Sequence, residues 1–136
     1  MSSPAAFDTI VQRLTEQWSS TPLQYENESF TPPADKSPWV EVEVRGGIYG
    51  AASIGAPDQR LMREEGVLML HVMFPSNRGS RGARVHAWNI ARLFVQQDID
   101  GMVFTDASIG AGEPFAPVAN YAAMTATIDW QLDHEE

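Results

Sequence analysis

Apolar residues recur along the chain with two different periods, and the alternation between them outlines the fold. Phe7, Ile10, Val11, Leu14 and Trp18 fall on one stripe at helical spacing. Ser3 and Pro4 precede it as N-cap and first helical residue, because serine satisfies a free N–H and proline needs no donor there. A first helix is therefore predicted to about Ser19, with Trp18 as a core anchor. From Ser20 to Pro38, Pro22, Pro32, Pro33 and Pro38 remove backbone donors and fix φ, which predicts a long loop. One short extended piece fits at Leu23 to Tyr25, and Phe30 is the side chain placed to pin the loop to the body.

The period then changes to two. Val40, Val42 and Val44 alternate with Glu41, Glu43 and Arg45, the pattern of a strand with one wet face. Gly46-Gly47 supplies either a two-residue hairpin turn or a bulge, followed by a small-residue strand from Ile48 to Ile54. That strand reads either as an edge open to another subunit or simply as a weak edge. Gly55 to Gly66 reads as a turn-rich connection, and "VLMLHVMF" as a buried strand ended by Pro75. His71 shares a face with Met69 and Met73 and is read as a satisfied, partly buried histidine.

Ala83, Ala87, Ile90, Ala91, Phe94 and Val95 mark the packed side of a second helix over about Arg81 to Gln97, its alanines allowing close approach to a sheet. Asp98 to Gly101 reads as the turn that ends it. Two further strands follow, Met102 to Ile109 and Pro117 to Leu132, joined by "GAGEPFAP" with Phe115 at its tip. The sum is one α+β domain over 1–136, a mainly antiparallel sheet covered by two helices in the order α-β-β-β-α-β-β, with a Pro-rich loop at 20–38 and an acidic fringe at 133–136.

Composition narrows the chemistry. A chain of 136 residues hides roughly two thirds of its unfolded surface on folding, enough for a real core. Without cysteine there is no disulfide, thiolate nucleophile or thiolate metal site. The apolar run Val67 to Phe74 falls far short of the roughly 20 residues that span a bilayer, so no membrane partner is expected. "MSSPAAFDTI" shows no basic segment followed by an apolar one, and no secretory signal is expected.

The formal net charge is -9, from eighteen acidic and nine basic side chains, and it opposes tight non-specific nucleic-acid binding. The charge is uneven: Arg60, Arg63, Arg78, Arg81, Arg84 and Arg92 stand between residues 60 and 97 against only Glu64 and Glu65. "FPSNRGSRGARVHAWNIARLF" looks at first like a phosphate cradle, but it holds no lysine and no Gly-x-Gly-x-x-Gly spacing. Its arginines fit carboxylates of a neighbouring protein better than phosphates. No nucleophile elbow, metal triad or phosphate loop is present in the sequence; His71, His86 and His134 lack metal-ligand spacing, and turn chemistry accounts for Asp98 and Asp100. Neither catalysis nor a cofactor or metal is expected.

An amphipathic first helix, "LQYENESFTPP", "WVEVEVRGG", "ASIGAP" with "RLMREEGVLMLHVMFP", a Gly-containing loop, "HAWNIARLF", the Gly101 strand and "YAAMTATIDW" follow one another from about Phe7 to Trp130. In that order and spacing the chain resembles the tail terminator (tail completion) proteins of long-tailed bacteriophages, prophages and gene transfer particles. The resemblance implies a structural protein of the virion tail, assembled in the host cytoplasm, that forms a ring, usually hexameric, on the end of the tail tube. Its implied partners are its own copies, the tail tube protein and a head-tail connector protein, with DNA passing through without tight binding. Closure of a head-to-tail ring needs two complementary patches on each subunit, and an acidic channel wall repels passing phosphates. Arg78, Arg81, Arg84, Ile48, Ile54 and Phe115 are the candidate subunit or tube contacts. Two other functions fit the residues: another phage neck or head-closure component, and a nucleic-acid-binding module using Arg78, Arg81, Arg84 and Trp88.

Overall fold

A computed structural model describes residues 2–35, 37–52, 61–75, 79–110 and 121–135. In chain order the elements are α1 (Pro4–Gln17), β1 (Leu23–Tyr25), β2 (Trp39–Ala51), β3 (Leu61–Pro75), α2 (Arg81–Ala91), β4 (Asp98–Ile99), β5 (Met102–Ile109) and β6 (Tyr121–Glu135). The strands form one sheet in the order β1-β2-β3-β6-β5-β4. Its pairings are antiparallel except β1 with β2, which is parallel. The class is α+β as expected, but the sheet is mixed and the order is α-β-β-β-α-β-β-β.

The first helix starts as the sequence suggests, the Ala6 N–H donating to Ser3 Oγ at 3.1 Å with Pro4 in the first turn. Ala6, Ile10 and Leu14 are buried, and Trp18 anchors the helix end while its indole N–H donates to Thr21 Oγ1 at 3.0 Å. These residues join Ala83, Ala87, Ile90 and Ala91 of α2 and the inner-face side chains Val40, Val42, Leu68, Leu70, Val72, Ala126, Ile128 and Trp130 in one core. Both helices therefore lie on one face. Their cover is partial, because a groove remains between α2 and the far half of β5.

Five boundaries differ from the sequence reading, each for a local reason. Gly46-Gly47 makes a bulge rather than a hairpin turn: the register with β3 slips between Gly46 and Tyr49, so β2 is one bent strand instead of two. A Cβ on Gly47 would sit 2.9 Å from the Glu65 carbonyl oxygen, which explains the small residue there. β3 begins at Leu61, inside the expected turn region, because Leu61 to Gly66 pair with the end of β6. β6 in turn runs to Glu135 and takes most of the acidic fringe into the sheet. There Arg63 faces Asp133 at 2.7 Å and His134 faces Glu64, so the carboxylates find partners across the ladder.

The second helix stops at Ala91, and shorter-range turns, Leu93 N–H to the Ile90 carbonyl and Phe94 N–H to the Ala91 carbonyl, deliver Phe94 against Phe104 with ring centroids 5.0 Å apart. A helical apolar pattern continues through a backbone that is no longer helical. Last, Asp98 and Ile99 pair with Val103 and Met102 across a tight turn in which Asp100 and Gly101 have φ of 52° and 85°. Such left-handed pairs match the twist of a hairpin, so the expected helix-ending turn is a small hairpin.

The outer face of the sheet carries a second cluster, Trp39, Met73 and Tyr121, and Phe30 from the Pro-rich loop closes it, its ring 4.7 Å from that of Trp39. On the same face His71 is buried and satisfied, as expected: its Nε2–H donates to Glu43 Oε1 at 2.8 Å, and Nδ1 lies 2.8 Å from Thr125 Oγ1. The hydroxyl, imidazole and carboxylate span three strands and tie them together.

Gly66 meets Gly46 on one side and Trp130 on the other. A Cβ there would overlap the Arg45 carbonyl oxygen and lie 2.7 Å from Trp130 Cε2. Gly66→Ala is expected to cost about 1–3 kcal/mol or more through overpacking, read as a lower denaturant midpoint.

Glu64 is solvent-inaccessible on the inner face, where it accepts from the Ser3 N–H at 2.6 Å and from His134 Nε2–H at 2.5 Å. Burial alone raises its pKa, but the hydrogen bonds from Ser3 and His134 outweigh it, and the carboxyl titrates below its ordinary 4.5. In the window beneath 4.5 the folded chain thus binds fewer protons than the unfolded one, so this stabilisation is complete above that pH and disappears as pH falls through the depressed folded value. Thermal melts from pH 7 to 3 should show that decline, and Glu64→Gln should make it shallower. An unchanged slope would remove Glu64 from the acid response.

Candidate assembly surface

Helix α2 turns its alanines to the sheet, and what remains faces solvent. Arg81, Arg84 and Arg92 lie on the outward side with Val85 and Trp88, which are 41% and 61% exposed. An exposed tryptophan flanked by arginines is unusual on a free surface and is enriched at the centres of protein interfaces. Among the described residues Arg84 donates one hydrogen bond, of 3.3 Å, to Ser80 Oγ, and its guanidinium carries five donors. Beside this face, Arg84, Trp88, Ala91, Arg92, Ala107 and Ile109 line a groove of about 650 Å³. No acidic residue occurs between 66 and 97, so nothing in the local sequence neutralises the helix.

The outer face of the sheet offers a contrasting surface. Gly47, Ile48, Glu65, Val67, Asp129 and Gln131 border a recess of about 410 Å³. Ile48 is 74% exposed, the consequence of a bulge that pushes it out of the ladder. Glu65 and Asp129 are exposed carboxylates on neighbouring strands.

Of the six candidate contacts from the sequence, Arg81 and Arg84 are brought together on α2, while Ile48 lies apart on the other face of the sheet. Arg78, Ile54 and Phe115 fall outside the described residues. The basic stretch is also not continuous in space: Arg63 is committed to Asp133 through two hydrogen bonds of 2.7 and 3.0 Å, at the far end of the β3–β6 ladder. Sequence reasoning missed Val85, Glu65 and Asp129. Val85 and Trp88 are one helical turn apart and off the packed stripe, a signal that was available; Glu65 and Asp129 come together only through the β3–β6 register.

Among the described residues no cluster of three His, Asp or Glu side chains has the arrangement to hold a metal ion, and no helix is long and apolar enough to cross a membrane. The surface as a whole can bind by shape and charge.

The model of the phage tail terminator protein family matches residues 5–128 of the chain. A solved structure superposes with a TM-score of 0.60 over 92% of this chain and 94% of its own, at 21% sequence identity, a likeness in fold alone. No curated protein sequence matches.

Arg81→Glu with Arg84→Glu should leave the fold intact, since both side chains are exposed and surface changes of this kind typically fall within about 0.5 kcal/mol. The thermal midpoint should move by no more than a few degrees. A collapse would make the two arginines structural.

Proposed function

The chain belongs to the phage tail terminator family, a family of structural proteins of the virion tail, and we propose that it ends tail-tube growth by forming a ring on the finished tube. The observation that carries this reading is the family match over 5–128, which takes in both helices and nearly all of the sheet. A ring of this kind works by occupying the end of the tube, so that no further tube protein adds, and by offering the head a docking surface. The number of copies is taken as six.

Physical support comes from the uneven surface. An exposed arginine and tryptophan face on α2 and a carboxylate-bearing recess on the other face of the sheet give one subunit two unlike patches. Unlike patches are what head-to-tail closure requires. The tail tube protein, a head-tail connector and further copies of the chain are the proposed partners. The acidic balance of the whole chain suits a channel through which DNA passes without sticking, because carboxylates repel phosphates.

Electron microscopy of particles assembled without this protein is the direct test. Tails longer than the normal length are expected, since tube polymerisation then lacks its stop. Tails of normal length left unattached to heads would instead make the protein a neck or head-closure component.

A further inference from the structure

Ile48, Val85 and Trp88 are the large apolar side chains most exposed to water among the described residues, and they fall on only two surfaces. Val85 and Trp88 stand with Arg81 and Arg84 on α2, and Arg92 follows as its C-cap. Ile48 stands beside Glu65 and Asp129 at the recess on the opposite side of the sheet. Each surface thus has an apolar centre with charge around it, and the two charges are opposite.

We infer that the α2 face of one copy docks into the Ile48–Glu65–Asp129 recess of a second copy. This deepens the assembly reading above and rests on it for its setting. Trp88 provides a broad, rigid apolar body for the recess, whose floor includes Gly47 and Val67, and burying it with Ile48 removes both from water. The arginines meet Glu65 and Asp129 at the rim, where such pairs set register and exclude wrong partners. Arg63, two residues from Glu65 on the same strand, gives its hydrogen bonds to Asp133 and feels Glu65 through its charge.

The same charges exclude the simpler arrangement. Two α2 faces brought together would set Arg81, Arg84 and Arg92 against their own copies, and two recesses would set carboxylate against carboxylate. A two-fold dimer through either surface is therefore disfavoured. Because the donor and acceptor surfaces lie on opposite sides of the sheet, the contact is heterologous: each copy that docks leaves a fresh surface at each end. Such a contact yields a closed ring or an open filament and never stops at two.

Charge reversal on the full chain separates these outcomes. Arg81→Glu with Arg84→Glu disables the donor face, and Glu65→Arg with Asp129→Arg disables the acceptor. Sedimentation across a concentration series should show each variant weakened by about tenfold or more relative to the unaltered chain. An equimolar mixture of the two should form larger assemblies in which the variants alternate, since the unaltered donor meets the unaltered acceptor and the reversed donor meets the reversed acceptor. The chain carrying all four changes should regain larger assemblies.

For association too weak to sediment, Asn89→Cys and Thr105→Cys place single thiols at the donor and acceptor rims of a chain that has no cysteine of its own. Under oxidation of an equimolar mixture the mixed disulfide should far exceed the twofold excess over each like-with-like product that random pairing gives. The random one-to-two-to-one distribution of the three products, a two-fold dimer, or indifference to charge reversal would each overturn the pairing. So would loss of single-stranded oligonucleotide binding in the Arg81→Glu, Arg84→Glu variant with association unchanged, which would give the α2 face to nucleic acid. Normal tail length with either variant would also overturn the pairing while leaving the terminator function standing; normal tail length without the protein would do the reverse.

Discussion

The fifteen-residue antiparallel ladder between β3 and β6, from Leu61 opposite Glu135 to Pro75 opposite Tyr121, is the constraint on which the remaining structure depends. It fixes register over the whole length of the molecule, and a slip of one residue would exchange the two faces of the sheet. With register fixed, Leu68, Leu70, Val72, Ala126, Ile128 and Trp130 point together towards the helices and form most of the core floor. Glu65, Val67 and Asp129 point the other way. One ladder therefore creates both the packed face and the candidate acceptor surface.

The two ends of that ladder are secured by different chemistry. At one end Trp39, Met73 and Tyr121 gather under Phe30, so aromatic packing adds to the β1–β2 pairing in holding the Pro-rich loop. At the other, Glu64 ties the N-terminal residue Ser3 and the C-terminal strand residue His134 to one carboxylate, while Arg63 and Asp133 pair across the strands. A buried carboxylate is tolerated here because its hydrogen bonds offset the cost of taking it out of water. Acidic residues that look in sequence like a solvated tail thus serve as ladder partners.

Placement of the helices leaves function to what they do not bury. Small side chains at 83, 87 and 91 bring α2 close to the sheet, so its larger residues Arg84, Val85 and Trp88 are displayed outward. Close packing on one side and adhesive character on the other come from the same eleven residues. In a chain with twice as many acids as bases, this helix is a basic patch facing an acidic remainder. The proposed association with further copies draws on that contrast.

Much of this was legible in the residues. Periods of 3.6 and 2 located both helices, the valine strand and the core sides of β3 and β6, because local side-chain alternation does not depend on distant partners. The N-cap at Ser3, the short piece at Leu23–Tyr25 and the satisfied state of His71 followed from local chemistry as well. Whether Gly46-Gly47 turned or bulged, whether Leu61 to Gly66 was loop or strand, and where α2 stopped depended on which strand lay alongside, and no local pattern encodes that. Nor could sequence show that Arg63 would be neutralised by Asp133, seventy residues away, or that Ile48, Glu65 and Asp129 would meet around one recess. By itself the sequence determined the helices, most strands, their buried sides and the family; tertiary pairing decided the remaining boundaries, which charged and apolar residues were used up within the chain and which were left facing out.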